Sequence, residues 1–385
     1  MPLSCQRELF DVPAGIAYLN TAYMGPLLHM ARVAGEAAVA RRARPWTVPA
    51  EEFFGPPELL RGLFARLVGA TADDIALVPS VSYGMELAAR TLPLAAGEAV
   101  LVLAEEFPSP YYAFERKARA VGASLRVVPR PTGGDGAGVT DWTEAVLAAL
   151  TPPVRIAALP ACHWTDGARL DLVRIAAAAK ARGIHLALDL SQSLGAVPFD
   201  LAAVDPDFVA CVGYKWLMGP YGLSYLYVAP RHQGAEPVEI GWCNKEGAED
   251  FRRLVDYTDR YQPGARRFDM GQRALFTLVP MASAALRQIA DWTPAAIADT
   301  LSRCHAGMAE GLSAAGLTPL PAAWRSPHMQ GLALPDHAPA DLGRRLAAEN
   351  IFVSFRGRSL RIAPHLHVTE EETARFTAAL ARHLG

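Results

Sequence analysis

The sequence predicts an α/β fold: a mostly parallel seven-stranded sheet in a large domain, joined to a small α+β domain at the C-terminal end. Three observations predict it. Between about residues 75 and 230, short apolar runs alternate with amphipathic or Ala-rich stretches at helical spacing, the pattern of repeated strand–helix–strand units. Most of the apolar runs are nearly unbroken in Val, Ile, Leu and Ala, as in strands covered on both faces. Beyond a polar stretch that passes through Arg266 and Arg267, the rhythm changes to long helices followed by short strands.

Taken in order, the strand candidates of the large domain are residues 75–79, 99–103, 124–128, 155–159, 185–190, 207–212 and 223–228. Between them, 109–121, 141–150 and 171–182 read as helices, the last closed by Gly183 at a C-cap position that favours glycine. In the C-terminal third, 275–292 and 295–315 read as two long helices. Strands at 330–334, 351–355 and 359–363 follow, with helices at 340–349 and 370–384. The expected division is a large domain over 26–265 and a small domain assembled from 1–25 and 266–385.

Composition narrows the function. The 37 Lys plus Arg nearly balance 39 Asp plus Glu, for a net charge of −2, so no basic field is available for nucleic acid or an anionic membrane. No apolar run is long enough to span a bilayer, and the start MPLSCQRELFDV lacks a charged-then-apolar leader. The five cysteines, Cys5, Cys162, Cys211, Cys243 and Cys304, are odd in number, scattered and without a CxxC pair, which suggests reduced thiols, neither a disulfide frame nor zinc. These features point to a cytoplasmic protein whose partner is a small molecule.

The informative stretch is HLALDLSQSLGAVPFD followed by DFVACVGYKWLMGPYG. Asp189 ends one buried strand and Lys215 follows another, so both face the carboxyl edge of the sheet, where open α/β sheets bind ligands. Taken singly, the lysine reads as solvated surface and the aspartate as a helix cap. Together they meet a specific chemical need. An amine that forms a Schiff base needs a partly desolvated pocket, which Tyr214 and Trp216 would supply. A pyridine ring that accepts electrons needs an anion opposite its nitrogen, and Asp189 is the candidate.

The segments LDLSQSLGAVPFD, GYKWLMGPYG, EEFPSPYYAFE, VPSVSYG and LRIAPHLHVTEEE occur in an order and spacing that resembles the class V aminotransferase branch of fold-type I pyridoxal-phosphate enzymes. That group includes cysteine desulfurases, kynureninase-like enzymes and isopenicillin N epimerase-like proteins. The resemblance implies pyridoxal 5'-phosphate as cofactor, Lys215 as the residue of the internal aldimine and Asp189 as partner of the pyridinium nitrogen. It also implies Gln192 and His163 beside the ring's 3-oxygen, although a buried and satisfied histidine is an alternative reading of His163. Trp164 either lines the pocket or packs.

The same resemblance implies that the backbone of Val81 and the backbone and hydroxyl of Ser82 hold the phosphate at a helix start, where Ser80 or Ser82 could equally be an ordinary cap. Tyr214 would add a phosphate contact, and Gln272 would add one to the partner subunit's cofactor, so a homodimer with its active site at the interface is implied. Phe107 would stack on the ring, with core packing as the alternative. Arg361 would fork onto the substrate carboxylate, with Arg356 and Arg358 in FRGR as nearby rivals for that role. NTAYMG, from Asn20 to Gly25, resembles the segment on the substrate side.

The implied activity is that of a transferase acting on an amino acid, an aminotransferase first, with C–S or kynureninase-like lysis or epimerisation as alternatives. Persulfide-forming desulfuration is disfavoured, because residues 329–358 contain no cysteine. A protein that binds the cofactor without turnover is disfavoured as well, since Lys215, Asp189 and Arg361 form a complete set.

Overall fold

The computed structural model describes residues 2–131 and 141–385. A short strand, β1 (Ala17–Tyr18), opens the chain. The central sheet then uses β2 (Ile75–Val78), β3 (Ala99–Leu103), β4 (Ser124–Val128), β5 (Val154–Pro160), β6 (His185–Asp189), β7 (Phe208–Val212) and β8 (Ser224–Val228). Their order is β2-β8-β7-β6-β5-β3-β4. All neighbours run parallel except β8, which is antiparallel to both β2 and β7. The predicted α/β sheet is therefore present, and its strands lie within two residues of the predicted bounds.

Side-chain alternation along each strand divides the interior into two apolar layers. Leu77, Leu101, Leu159, Leu188 and Tyr225 face one side, while Val78, Val102, Ile156, Phe208 and Leu226 face the other. Edge strand β4 is mostly exposed or half-buried, which explains the Arg126 in its apolar run.

Two helices that the alternation pattern did not cover precede the sheet, at His29–Arg42 and Gly55–Val68. The second brings Phe64 into a face-to-face stack on Tyr225, with centroids 4.2 Å apart. It also brings the buried Arg61 against Asp269, 2.7 Å away. Asp269 accepts from Arg273 at 2.6 Å and from the backbone of Leu77 at 2.7 Å, which ties the segment before Gln272 to the sheet.

The C-terminal third carries β9 (Gln330–Ala333), β10 (Ile351–Phe352), β11 (Ser354–Arg356) and β12 (Ser359–Ile362), with an antiparallel sheet in the order β11-β12-β9. Its core, which includes Leu332, Leu360, Ile362, Phe376 and Leu380, also takes in Ala17 and Leu19. β1 pairs in parallel with β10.

Two expectations need correction. The single strand over 351–355 is split at Val353, where the chain leaves β1 as partner and takes up β12. The single helix over 295–315 is two, Pro294–Gly307 and Ala309–Ala314, with the break beside the glycine that holds a helix weakly. Helix Leu278–Trp292 sends Val279, Ala282 and Leu286 under the large sheet and stacks Trp292 on Phe10 of the N-terminal segment. No helix among the described residues is long and apolar enough to cross a membrane.

Candidate active site

Asp189 is the last residue of β6, and Lys215 lies three residues beyond the end of β7. Because β8 runs back along β7, the chain between them closes on itself: Gly213 N–H donates to Leu223 O at 3.0 Å, and Gly219 N–H to Gly213 O at 2.9 Å. Two other segments press on this turn. Gly25 donates to Tyr214 O at 2.8 Å, and a Cβ at that position would lie 2.2 Å from Lys215 O. Gly195, at φ +94°, would place one 2.6 Å from Trp216 O. Glycine at both positions therefore permits the backbone approach that holds the lysine. For NTAYMG, this shows a packing role.

Lys215 is 7% exposed, and burial pushes its amine down to about 8. The Asp189 charge opposes that shift, while Arg361 and Arg356 add to it. Its Nζ lies 5.5 Å from the Phe107 ring centroid and 5.8 Å from that of Tyr214. No carboxylate among the described residues lies within ion-pairing distance of it. Burial raises the Asp189 carboxyl, against the pull of Ser191, whose N–H donates to Oδ1 at 3.0 Å, and of the lysine charge. A second carboxyl escaped the sequence reading. Glu106 accepts from Phe107 N–H at 2.7 Å through one oxygen, and its other oxygen is buried without a partner. Burial, opposed by that hydrogen bond and reinforced by Asp189, pushes it up to about 8. In EEFPSP, such a residue reads as a solvated charge.

His163 is fully buried and stacks on Trp142, 5.3 Å away and 3° from parallel. Its Nε2 pairs with Ala104 O at 3.0 Å and its Nδ1 with Thr165 Oγ1 at 2.7 Å, so both nitrogens have protein partners. Burial lowers its pKa. The Gln192 amide is oriented from both ends: Trp216 Nε1 donates to its Oε1 at 3.0 Å, and its Nε2 donates to Ala22 O at 3.0 Å, leaving one amide proton over. Trp164 gives its N–H to Glu105 O at 2.7 Å and meets Phe107 edge-on at 5.5 Å.

Helix Val81–Thr91 is capped by Ser80, which accepts from Tyr83 N–H. The N–H groups of Val81 and Ser82 have no acceptor among the described residues, and Ser82 Oγ sits 2.8 Å from Ser109 Oγ. Ser80 is thus the cap, while Ser82 keeps a free N–H and its hydroxyl meets Ser109. Tyr214 packs against Tyr221 at 4.6 Å. Gln272 is exposed, beside a cavity shared with Phe53 and Trp242.

Arg361, on β12, is 1% exposed. It donates to Ser354 Oγ at 3.0 Å and to Trp164 O at 2.7 Å, and its Nη2 is buried without a partner among the described residues. Burial, with Arg356 nearby, holds its pKa down at about 9. Arg358 pairs with Asp336 at 2.7 Å. Cys162 and Cys211 are buried, and burial pushes the Cys162 thiol up to about 12. That is the opposite of what a nucleophilic thiol requires.

Residues 49–382 match the family model described as aminotransferase class-V. A kynureninase of Deinococcus radiodurans is 32% identical over 355 residues, covering 86% of this chain and 82% of that protein. An isopenicillin N epimerase of Streptomyces clavuligerus is 32% identical over 234 residues, covering 59% of this chain and 57% of its own. Among solved structures, the cystine C–S lyase C-DES in complex with its product cysteine persulfide superposes with a TM-score of 0.86 at 20% identity, over 97% of this chain and 99% of that one. The Escherichia coli cysteine desulfurase CsdA gives 0.80 at 19%, over 98% of this chain and 97% of its own. The last two likenesses concern the fold.

Proposed function

The chain belongs to the aminotransferase class-V family, and from that premise we propose that it is a pyridoxal-phosphate-dependent enzyme that transaminates an amino acid. The residues fit the cofactor. The free amides of Val81 and Ser82, with the Ser82 hydroxyl, are donors for a phosphate at a helix start. Phe107 offers a ring face, Asp189 an anion for the ring nitrogen, and Tyr214 a hydroxyl. Gln192 has one amide proton free for the ring's oxygen, whereas His163 would act there only by giving up a present partner. When bound, the cofactor supplies an electron-accepting pyridine ring.

This chain's residues then have separate tasks. Lys215 Nζ, lowered to about 8, takes and returns a substrate proton near neutral pH. Arg361 Nη2, buried and unpartnered, is a donor for the α-carboxylate. The observation that carries transamination is that Lys215 combines a tuned pKa with the lack of a hydrogen-bond partner among the described residues, while both His163 nitrogens are engaged. A single base that moves one proton between two carbons suffices for that reaction.

The identity to a kynureninase over most of both chains supports a second reading, cleavage of the substrate side chain. Product analysis separates them: a keto acid with the cofactor left in its amine form supports the first. Ammonia or alanine release with the cofactor left as the aldehyde supports the second.

We also read the chain as a cytoplasmic homodimer in which Gln272 reaches the partner's site. Its exposure, beside a cavity it shares with the exposed Trp242, which in turn meets the exposed Phe251, supports that reading. The proposed division into a 26–265 domain and a domain of 1–25 plus 266–385 is supported by the core that Ala17 and Leu19 share with the C-terminal sheet.

A further inference from the structure

A cavity of about 1020 Å³ opens beside the lysine cleft, lined by Glu105, Arg130, Trp164, Trp324, Arg356 and Arg358 among others. Of its three arginines, two are neutralised. Arg130 is paired with Asp166 and, at 2.6 Å, with Glu105. Arg358 is paired with Asp336. Arg356 has no carboxylate partner among the described residues. Its one side-chain hydrogen bond goes to Phe355 O, and its guanidinium carbon lies 5.4 Å from the Trp164 ring centroid.

The register places it next to Arg361. Ser354 pairs with Arg361 across β11 and β12, and Arg356 is two residues further along β11, on the same face. Such diagonal neighbours lie about 7–8 Å apart. Both arginines are close enough to depress the Lys215 amine. Two half-buried or buried cations, one with an orphan N–H and one without an anion, therefore face the same site.

We infer that the substrate carries two acidic groups. The α-carboxylate goes to Arg361, and a side-chain carboxylate enters the cavity to meet Arg356 against Trp164. The substrate class is that of aspartate- and glutamate-like amino acids. This rests on the reading of the cleft as an amino-acid site. A half-buried cation without an anion is costly to keep, and a carboxylate fork offsets that cost more fully than water does. The same arrangement disfavours apolar side chains of equal length, which would leave Arg356 desolvated and unpaired.

The test uses the holoenzyme and three amino acids that lack an α-proton and so bind without turnover: α-methylaspartate, α-methylglutamate and α-aminoisobutyrate. Affinities are read from the visible spectrum and by calorimetry. At least one acidic probe should bind about tenfold or more tightly than α-aminoisobutyrate, as expected for a charge-assisted bond. In Arg356→Gln that ratio should fall to within about twofold of unity, and Arg356→Lys should restore part of it. The variants' melting temperatures and cofactor content report on folding. Equal binding of all three probes by the wild-type enzyme, or a preference retained in Arg356→Gln, overturns the inference alone. Binding of none of the three by a cofactor-loaded enzyme overturns the amino-acid reading beneath it.

Discussion

The Lys215 Nζ lies over the ring of Phe107, 5.5 Å from its centroid, with Tyr214 on a second side and no anion paired to it among the described residues. The lysine thus breaks no ion pair when its charge is given up. Lys215→Ala should abolish the visible absorption of bound cofactor and lower turnover by at least about 10²-fold. A variant that keeps both its colour and its activity after dialysis contradicts the assignment.

Uptake of cofactor by the cofactor-free protein should depend on pH with a midpoint of about 8, where Lys215 loses its proton. Only the neutral amine is nucleophilic, so the rate should rise roughly tenfold per pH unit below the midpoint and level off above it. The Asp189 charge stabilises the protonated amine, so Asp189→Asn should move the midpoint to lower pH. Stopped-flow absorbance measures both, and a profile centred near the ordinary lysine value would be incompatible with the pocket.

Glu106 bears on stability with a definite sign. Its folded-state carboxyl is raised from 4.5 to about 8, so the folded protein holds a proton that the unfolded chain releases. Stability from this group is full below about pH 4.5 and is lost as pH rises through about 8, a change on the order of 5 kcal/mol. Glu106→Gln should flatten the profile and be the more stable protein at pH 8. Parallel urea titrations at pH 5 and pH 8 check this. Identical pH dependence in the two proteins counts against a proton on Glu106.

Asp269 pairs with both of the buried guanidinium groups of Arg61 and Arg273. Removing one partner of a buried pair costs about 3–5 kcal/mol. Asp269→Asn should therefore unfold at markedly lower denaturant. A loss below about 1 kcal/mol would show that water reaches the arginines.

Gly25→Ala should damage the site without touching its chemistry. The new Cβ would lie 2.2 Å from Lys215 O, so the lysine turn must shift. Overpacking of this kind costs about 1–3 kcal/mol. Cofactor uptake should slow, and fixed-site spectroscopy of the bound ring should change. Uptake at the wild-type rate would show that the turn is softer than its packing implies.

How much of this could be read in the chain depended on how local the cause was. All seven strands of the large sheet were legible, six because their apolar runs answer to burial on both faces, a property each run carries by itself, and edge strand β4 from its Val pair although most of it is exposed or half-buried. Asp189 and Lys215 were legible because each lies at the end of such a run. Arg130 and the Trp216 clamp on Gln192 were not, since each is defined by a partner distant in sequence, and Glu106 was not, since burial rather than any partner sets it apart. Glu106 and its neighbour Glu105 look alike as letters, yet one is buried with an unpartnered oxygen and the other is exposed and paired with Arg130. The division of 351–355 between two sheets was hidden for a similar reason: β1, its first partner, lies more than 300 residues away.

The antiparallel course of β8 separates the two tools of the cleft. The lysine sits on a turn stapled at both ends to one rigid sheet, whereas Arg361 and Arg356 ride on a hairpin of another sheet, whose link to the lysine side includes the bond from Arg361 to Trp164 O. On the proposed reading, reactivity and selectivity are thereby carried by separate sheets, coupled through the charges that Arg361 and Arg356 set against the amine. Lengthening or shortening the hairpin tip around Gly357 would change which substrates fit, while the amine that reacts with them keeps its tuning from burial.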